Sequence, residues 1–210
     1  MRVFIGAVTL LLLAGCGPKY GMKVPGSMLD KLPYESRIEL LEAENDLAVA
    51  IDHRDEAENE VLRTRDALRR AKDRLSAAED EASDADDKVA KEVAELAVQE
   101  ANARVDFLRA QQVVNVKKLD IEDISLRCAH ARFEMARLGL ARKAKVEGSE
   151  SLDPKAFEEQ AKSCDSEVGE MKTALKEQTT AAEQARDSWD KQKAALAKKT
   201  FDARASPYVE

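Results

Sequence analysis

The cysteines and histidines of this sequence are the side chains best suited to nucleophilic, metal-binding or redox chemistry. There are three cysteines, Cys16, Cys128 and Cys164, and two histidines, His53 and His130. No two of them have the spacing of a zinc site, because His130 lies only two residues from Cys128. The sequence also has no glycine-rich phosphate loop and no G-x-S-x-G motif. We therefore expect no enzyme, no metal site and no cofactor.

Cys16 follows an apolar run that is too short to cross a membrane. A positive start precedes an apolar stretch over residues 3–13, and small residues follow at 14 and 15. This is the outline of a secretory leader. A spanning helix needs about 20 apolar residues, and glycines and Pro18 end this run sooner. Residues 1–15 are therefore predicted to be a signal peptide.

The residues Leu13-Ala14-Gly15-Cys16 resemble the lipobox of bacterial lipoproteins. The resemblance covers four residues and identifies no specific family within that class. It implies that Cys16 becomes the first mature residue, with a diacylglyceryl thioether on its sulfur and an acyl group such as palmitate on its amine. More than one acyl chain gives durable membrane anchoring. The alternative is a chance cysteine beside an ordinary cleavage site.

The residue after the cysteine bears on the destination of such a lipoprotein. In diderm bacteria an aspartate there favours the inner membrane, whereas this chain has Gly17. The resemblance therefore implies a lipid anchor on the periplasmic face of the outer membrane, if the organism is diderm. Residues 16–33 are rich in glycine and proline, so we expect a flexible tether there and ordered structure from Tyr34.

The composition favours long helices over a globular core. Aromatic residues make up 4% of the 210 residues and charged residues 36%, so large buried side chains are scarce. Residues 34–138 contain neither glycine nor proline, where average usage places roughly a dozen. The net charge is -7, and basic residues in 63–74 pair with acids at helical spacing. We therefore expect no nucleic-acid partner.

A three-and-four repeat of apolar residues predicts a coiled-coil seam. From Leu40 to Val89, thirteen of fifteen seam positions are apolar, with alanine at nearly every second one. The exceptions are Arg54 and Thr64. We interpret Arg54 as a cation that reaches the edge of the seam and Thr64 as a polar residue that sets register. After a four-residue step at Val89, the repeat continues to Leu138.

The step at Val89 is compatible with two structures. A stutter would keep one helix over residues 34–138, about 160 Å long. A turn would instead start a new helix, with Ser83 or Asp84 as its N-cap. We favour continuity, because no glycine or proline is present to turn the chain.

A second helix is predicted after the first. Gly139 is expected to end the first helix, and Asp153-Pro154 is a capping residue followed by proline in the first turn. The predicted fold class is all-α, with a long helix at about 34–138 and an antiparallel second helix at about 154–203. Together they form a coiled-coil hairpin.

Cys128 and Cys164 fall on the seams of the two helices, so an antiparallel pairing can place them opposite each other. The same register sets Phe107 and Trp189 opposite alanines, which matches large side chains with small ones. Export would place the thiols where disulfides persist. We therefore predict a disulfide between Cys128 and Cys164, with two buried thiols as the alternative.

The hairpin over residues 90–203 leaves residues 34–89 with an exposed Leu/Ala seam, and 204–210 as a tail. The seam at 40–89 could pair with a second copy, fold back at 83–87 into a three-helix bundle, or dock on another envelope protein. The sequence does not choose among these three. A protein partner or self-association through this seam is therefore expected.

The hairpin tip at 139–148 carries Arg142, Lys143 and Lys145. These cations could contact peptidoglycan or an anionic surface, and a solvated loop is the alternative.

Two functions remain. The first is a structural or scaffolding lipoprotein that acts as a spacer in the bacterial envelope. The chain resembles the small helical lipoprotein that links the outer membrane to peptidoglycan, but only in lipobox and heptads, since it ends in SPYVE without the terminal lysine. The second is an accessory or docking subunit of an envelope transport, secretion or motility complex. An intracellular coiled coil would require the leader to be misinterpreted.

Overall fold

A computed structural model describes residues 21–201. The predicted leader, Cys16 and the predicted tail at 204–210 lie outside the described residues. Regular structure in the described part is entirely helical, which confirms the all-α class. The helices are α1 (Gly26–Leu29), α2 (Tyr34–Asp84), α3 (Lys88–Lys143) and α4 (Pro154–Thr200), with a 3-10 turn at Ser149–Ser151.

The central helix of the fold is α3. It packs along its length against α2 and against α4, whereas α2 and α4 make no more than marginal contact with each other between residues 21 and 201. Cross-helix pairs show that α3 runs antiparallel to α2, since Lys118 reaches Glu60 at 3.6 Å and Lys143 reaches Glu39 at 2.7 Å. The result is a three-helix rod. Its longest helix has 56 residues and extends about 84 Å.

The prediction of one continuous helix over residues 34–138 is wrong, because the chain turns at residues 85–87. Ala85 has extended backbone, with φ -67° and ψ 123°. The Asp87 carboxylate accepts hydrogen bonds from the amides of Val89 at 2.8 Å and Ala90 at 2.9 Å. These bonds satisfy two amides that the start of a helix leaves unpaired. Asp87 therefore acts as the N-cap of α3, and the turn needs no glycine or proline. The predicted N-caps, Ser83 and Asp84, do not hold this position.

The seam of α2 is not exposed as predicted, because it packs on α3. Its buried members are Leu40, Ala57, Val61, Thr64, Leu68, Ala71 and Ala78. Val89, the last predicted seam residue, lies beyond the turn and is 62% exposed. The sequence left three possible partners for this seam. In the structure the partner is α3 of the same chain, because the chain folds back after α2.

A second three-and-four stripe on α3, which the sequence analysis missed, receives the seam of α2. Its members are all buried or half-buried: Ala94, Val98, Ala101, Val105, Leu108, Asn115, Leu119, Leu126, Ala129, Phe133 and Leu140. The stripe that contains Cys128 faces α4 instead. A helix with two such stripes can bury both only if it has a neighbour on each side.

Helix α3 continues past Gly139 to Lys143, whereas the sequence predicted that the helix would end at Gly139. Gly139 is exposed and the next two residues, Leu140 and Ala141, are buried. Their packing offsets the cost of about 1 kcal/mol for glycine inside a helix. The helix ends where Lys145 takes a left-handed conformation (φ 55°) and the amide of Val146 donates to the carbonyl of Ala141 at 2.9 Å. This is a Schellman motif, with lysine at the position usually held by glycine.

The start of α4 agrees with the prediction. The Asp153 carboxylate accepts a hydrogen bond from the amide of Lys155 at 3.0 Å, and Pro154 occupies the first turn. Proline is favourable there because that amide has no partner inside the helix.

Candidate functional site

A disulfide joins Cys128 of α3 to Cys164 of α4, with the two Cα atoms 5.4 Å apart. Two further contacts follow the predicted register to within one residue. Lys199 pairs with Glu92, and the guanidinium of Arg104 lies 4.8 Å from the ring centroid of Trp189. The cysteines are separated by 36 positions in the sequence. In the chain-entropy model, closing a loop of that length stabilises the fold by about 4 kcal/mol.

The predicted match of large aromatic rings with alanine is wrong for Trp189. Its ring stacks on Phe107, with centroids 5.6 Å apart and planes 8° from parallel. The indole nitrogen donates to Glu100 at 2.6 Å, and Glu100 is fully buried. The layer is thus built from stacked rings and a buried hydrogen bond, which a match of side-chain volumes alone could not predict.

A second polar layer lies between α2 and α3. Asn115 donates from its side-chain nitrogen to the hydroxyl of Thr64 at 2.7 Å, and both residues are buried. Gln111 in turn donates to the Asn115 oxygen at 3.0 Å. Only one longitudinal position of α2 on α3 makes these bonds. Thr64 therefore sets the register of this helix pair, which is the role interpreted from the sequence.

Arg54, the other polar seam residue, reaches the edge of the interface as interpreted. Its guanidinium donates to Asp55 at 3.2 Å, to Asp123 of α3 at 3.2 Å and to Glu58. The hydrogen bonds to Asp55 and Asp123 and the charge of Glu58 raise the pKa of Arg54 above its ordinary value.

One helical pair on α4 also shifts in pKa. The hydrogen bond that Lys162 donates to Glu158 at 2.7 Å raises the pKa of Lys162 and lowers that of Glu158. The carboxylate's contribution to stability is therefore complete above the ordinary pKa of glutamate. It disappears as the pH falls through the lowered value.

The flexible tether predicted over residues 16–33 is wrong from residue 21 onward. Val24 is 2% exposed and packs with Leu138 and Phe157, and Leu32 is 4% exposed in a cluster with Leu140. Glycine and proline make up four of residues 21–33, yet the apolar side chains between them pack against the helix ends. We call residues 21–33 the strap.

Two hydrogen bonds fix the start of the strap to the helices. The amide of Val24 donates to the Glu134 carboxylate at 2.8 Å, and both residues are buried. The amide of Met22 donates to the Gln160 side-chain oxygen at 3.1 Å. Glu134 is also paired with Arg137. The strap is therefore attached to both α3 and α4.

The cations of the predicted tip mostly serve the fold. Arg142 donates to the backbone carbonyls of Ser149, Glu150 and Leu152, at 3.2, 3.2 and 2.8 Å. Lys143 pairs with Glu39 of α2. Two of the three predicted surface-binding cations thus hold the loop and the start of α2 in place.

A cleft of about 430 Å³ lies between the strap, α3 and α4, beside the disulfide. Its charged lining residues are of both signs: Lys23, Arg127, Glu134 and Glu167. Arg127 and Glu167 pair across it at 3.4 Å. The charges nearly balance, so the cleft favours neither an anionic nor a cationic ligand.

The two histidines lie on different helices and line different surface clefts. His130 borders the cleft on α3, and His53 lies exposed on α2. Among residues 21–201, no group of three or more His, Cys, Asp or Glu side chains is arranged to hold a metal ion.

Over the described range, none of the helices combines the length and the apolar content needed to cross a membrane. No family model matches the chain, and searches of curated proteins and of solved structures give no match.

Proposed function

We propose that this protein is a structural lipoprotein of the bacterial cell envelope, anchored through lipid at Cys16 and acting as a rigid spacer or scaffold in the periplasm. The observation that carries the proposal is an antiparallel helical rod whose strap begins five residues after a cysteine in a sequence that resembles a lipobox. In a diderm organism the anchor would lie in the outer membrane, because Gly17 follows the cysteine.

The internal contacts of the rod support a spacer role. The disulfide ties α3 to α4, and the Thr64 to Asn115 hydrogen bond fixes α2 on α3. Each contact opposes sliding of one helix along its neighbour. A rod that resists sliding keeps its length, which a spacer requires.

A docking subunit of an envelope transport, secretion or motility complex is the second candidate. The seam of α2 cannot serve as its docking surface, since α3 covers it. One observation still favours docking: Ile38, Leu41 and Leu62 lie outside the seam on the same helix, α2, and are 48%, 57% and 49% exposed. Cross-linking in intact cells separates the two candidates, because a docking subunit yields one defined protein adduct through this face.

Metabolic labelling with an alkyne fatty acid tests the anchor. The wild-type protein is expected to incorporate label and to fractionate with membranes. A Cys16→Ala variant is expected to do neither, whereas a Cys128→Ala, Cys164→Ala double variant, as the matched control, keeps its label. Equal labelling of the wild-type and Cys16→Ala proteins, or labelling of neither, would refute the lipoprotein proposal.

A further inference from the structure

We propose that the rod is oriented on the membrane, with its loop end close to the lipid headgroups and its turn end pointing away from them. The loop end comprises the end of α3, residues 144–153 and the start of α4. The turn end comprises residues 79–88. This inference rests on the proposed function, because it requires that Cys16 carries the lipid.

The strap leaves very little chain between the lipid and the rod. Only Gly17, Pro18, Lys19 and Tyr20 separate Cys16 from Gly21, where the strap begins. A fully extended chain spans at most about 3.6 Å per residue, so the Cα atom of Cys16 lies within about 18 Å of that of Gly21. The tether of eighteen residues expected from composition would have allowed more than three times that distance.

The position of the strap decides which end of the rod is close to the anchor. Its partner Glu134 lies nine residues before the end of α3, which is about 14 Å along the helix. The start of α3 at Lys88 is 46 residues away in the other direction, or about 69 Å. The short link cannot span that distance. Cys16 therefore lies near the loop end and cannot reach the turn end.

The charges of the two ends favour an upright rod over one that lies flat. Residues 79–88 contain six carboxylates and one lysine, and the end of α4 beside them adds Lys198 and Lys199, so the turn end stays net negative. Residues 142–155 at the loop end contain four cations and three carboxylates. A membrane that contains anionic lipid has a negative surface potential, which acts within about a Debye length. It repels the turn end and is nearly neutral toward the loop end. The tether and the charges thus favour the same orientation.

Energy transfer from the protein to the membrane measures this orientation. Lipidated full-length protein is reconstituted in vesicles of phosphatidylethanolamine and phosphatidylglycerol that carry an acceptor dye on a lipid headgroup. A donor dye is attached at Ser151→Cys in the loop end or at Ser83→Cys in the turn end. Both serines are exposed, and each hydroxyl donates to a backbone carbonyl within its own turn, at 2.7 Å and 3.0 Å. The two variants are therefore closely matched.

Transfer is expected to be several-fold more efficient from position 151 than from position 83. Inserting a Gly/Ser linker of about 20 residues after Gly17 is expected to reduce this contrast, because the chain then reaches much further. Equal transfer from both positions in vesicle-bound protein would overturn the orientation while leaving the anchor intact. An undiminished contrast in the extended variant would contradict the short-tether reasoning. If the protein fails to float with the vesicles, both the anchor and the orientation are refuted.

Discussion

Removing the Glu134 carboxylate is expected to release the strap while leaving the three-helix rod folded. Val24 donates to this carboxylate at 2.8 Å, and Glu134 lies under the strap on α3. Glu134 also pairs with the largely buried Arg137, so the substitution is expected to loosen the end of α3 around Arg137 as well. A hydrogen bond to a charged group contributes about 1.5–3 kcal/mol, because a buried amide that loses its acceptor also loses its solvation. At 1.4 kcal/mol per factor of ten, Glu134→Ala should raise the opening equilibrium of the strap about 10- to 150-fold.

Hydrogen exchange measured by mass spectrometry, on peptides that cover residues 21–33, is the direct assay. Glu134→Ala should accelerate exchange there, with little change in peptides from the centre of α3. Glu134→Gln keeps a neutral acceptor and should have a smaller effect, since neutral hydrogen bonds contribute about 1 kcal/mol. The matched control is Glu167→Ala, which removes an exposed carboxylate that pairs with Arg127 but not with the strap.

Two results would refute the reasoning about the strap. One is exchange of residues 21–33 in the wild-type protein that is already as fast as in an unstructured peptide, because the strap would then be unattached. The other is equal acceleration across the whole rod in Glu134→Ala, which would mean that the strap opens only when the protein unfolds globally.

Three further predictions concern the stability of the rod, measured by urea or thermal unfolding monitored by far-UV circular dichroism. Thr64→Val should lower the free energy of unfolding by about 1–3 kcal/mol, because the buried Asn115 nitrogen loses its acceptor. Adding Asn115→Val to this variant should recover much of that loss. Strictly additive losses in the double variant would contradict the proposed polar layer. Reduction of the disulfide at Cys128 should cost about 4 kcal/mol, and unchanged unfolding with and without reductant would contradict the covalent link. Lys145→Gly should stabilise the protein by about 0.5–1 kcal/mol by relieving a left-handed lysine, whereas destabilisation would argue against that conformation.

The features that follow from local rules were predictable from the sequence. The cap and proline at the start of α4 depend on two adjacent residues, and the register of α3 on α4 follows from two cysteines on opposing stripes. The seam of α2 was also identified, because a single apolar stripe gives a clear periodic signal. Each of these features needs information from one or two segments only.

The remaining features depend on competition between distant segments. The second stripe of α3 runs beside the first and contains polar members such as Asn115, so assigning one seam to each helix leaves the second stripe unassigned. That stripe was nevertheless the available signal for the turn, since a helix with two apolar faces requires two neighbours. The strap was missed because a few apolar side chains, Val24 and Leu32 above all, outweigh a composition typical of linkers once the helix ends provide a place for them.

Small-angle X-ray scattering of the monomeric mature chain, with Cys16 replaced by serine, tests the fold most directly. The three-helix rod predicts a maximum dimension of about 90 Å, set by the 56 residues of α3. A continuous helix from residue 34 to 138 predicts about 160 Å. A measured dimension near the shorter value supports the turn at residues 85–87, and one near the longer value would contradict it.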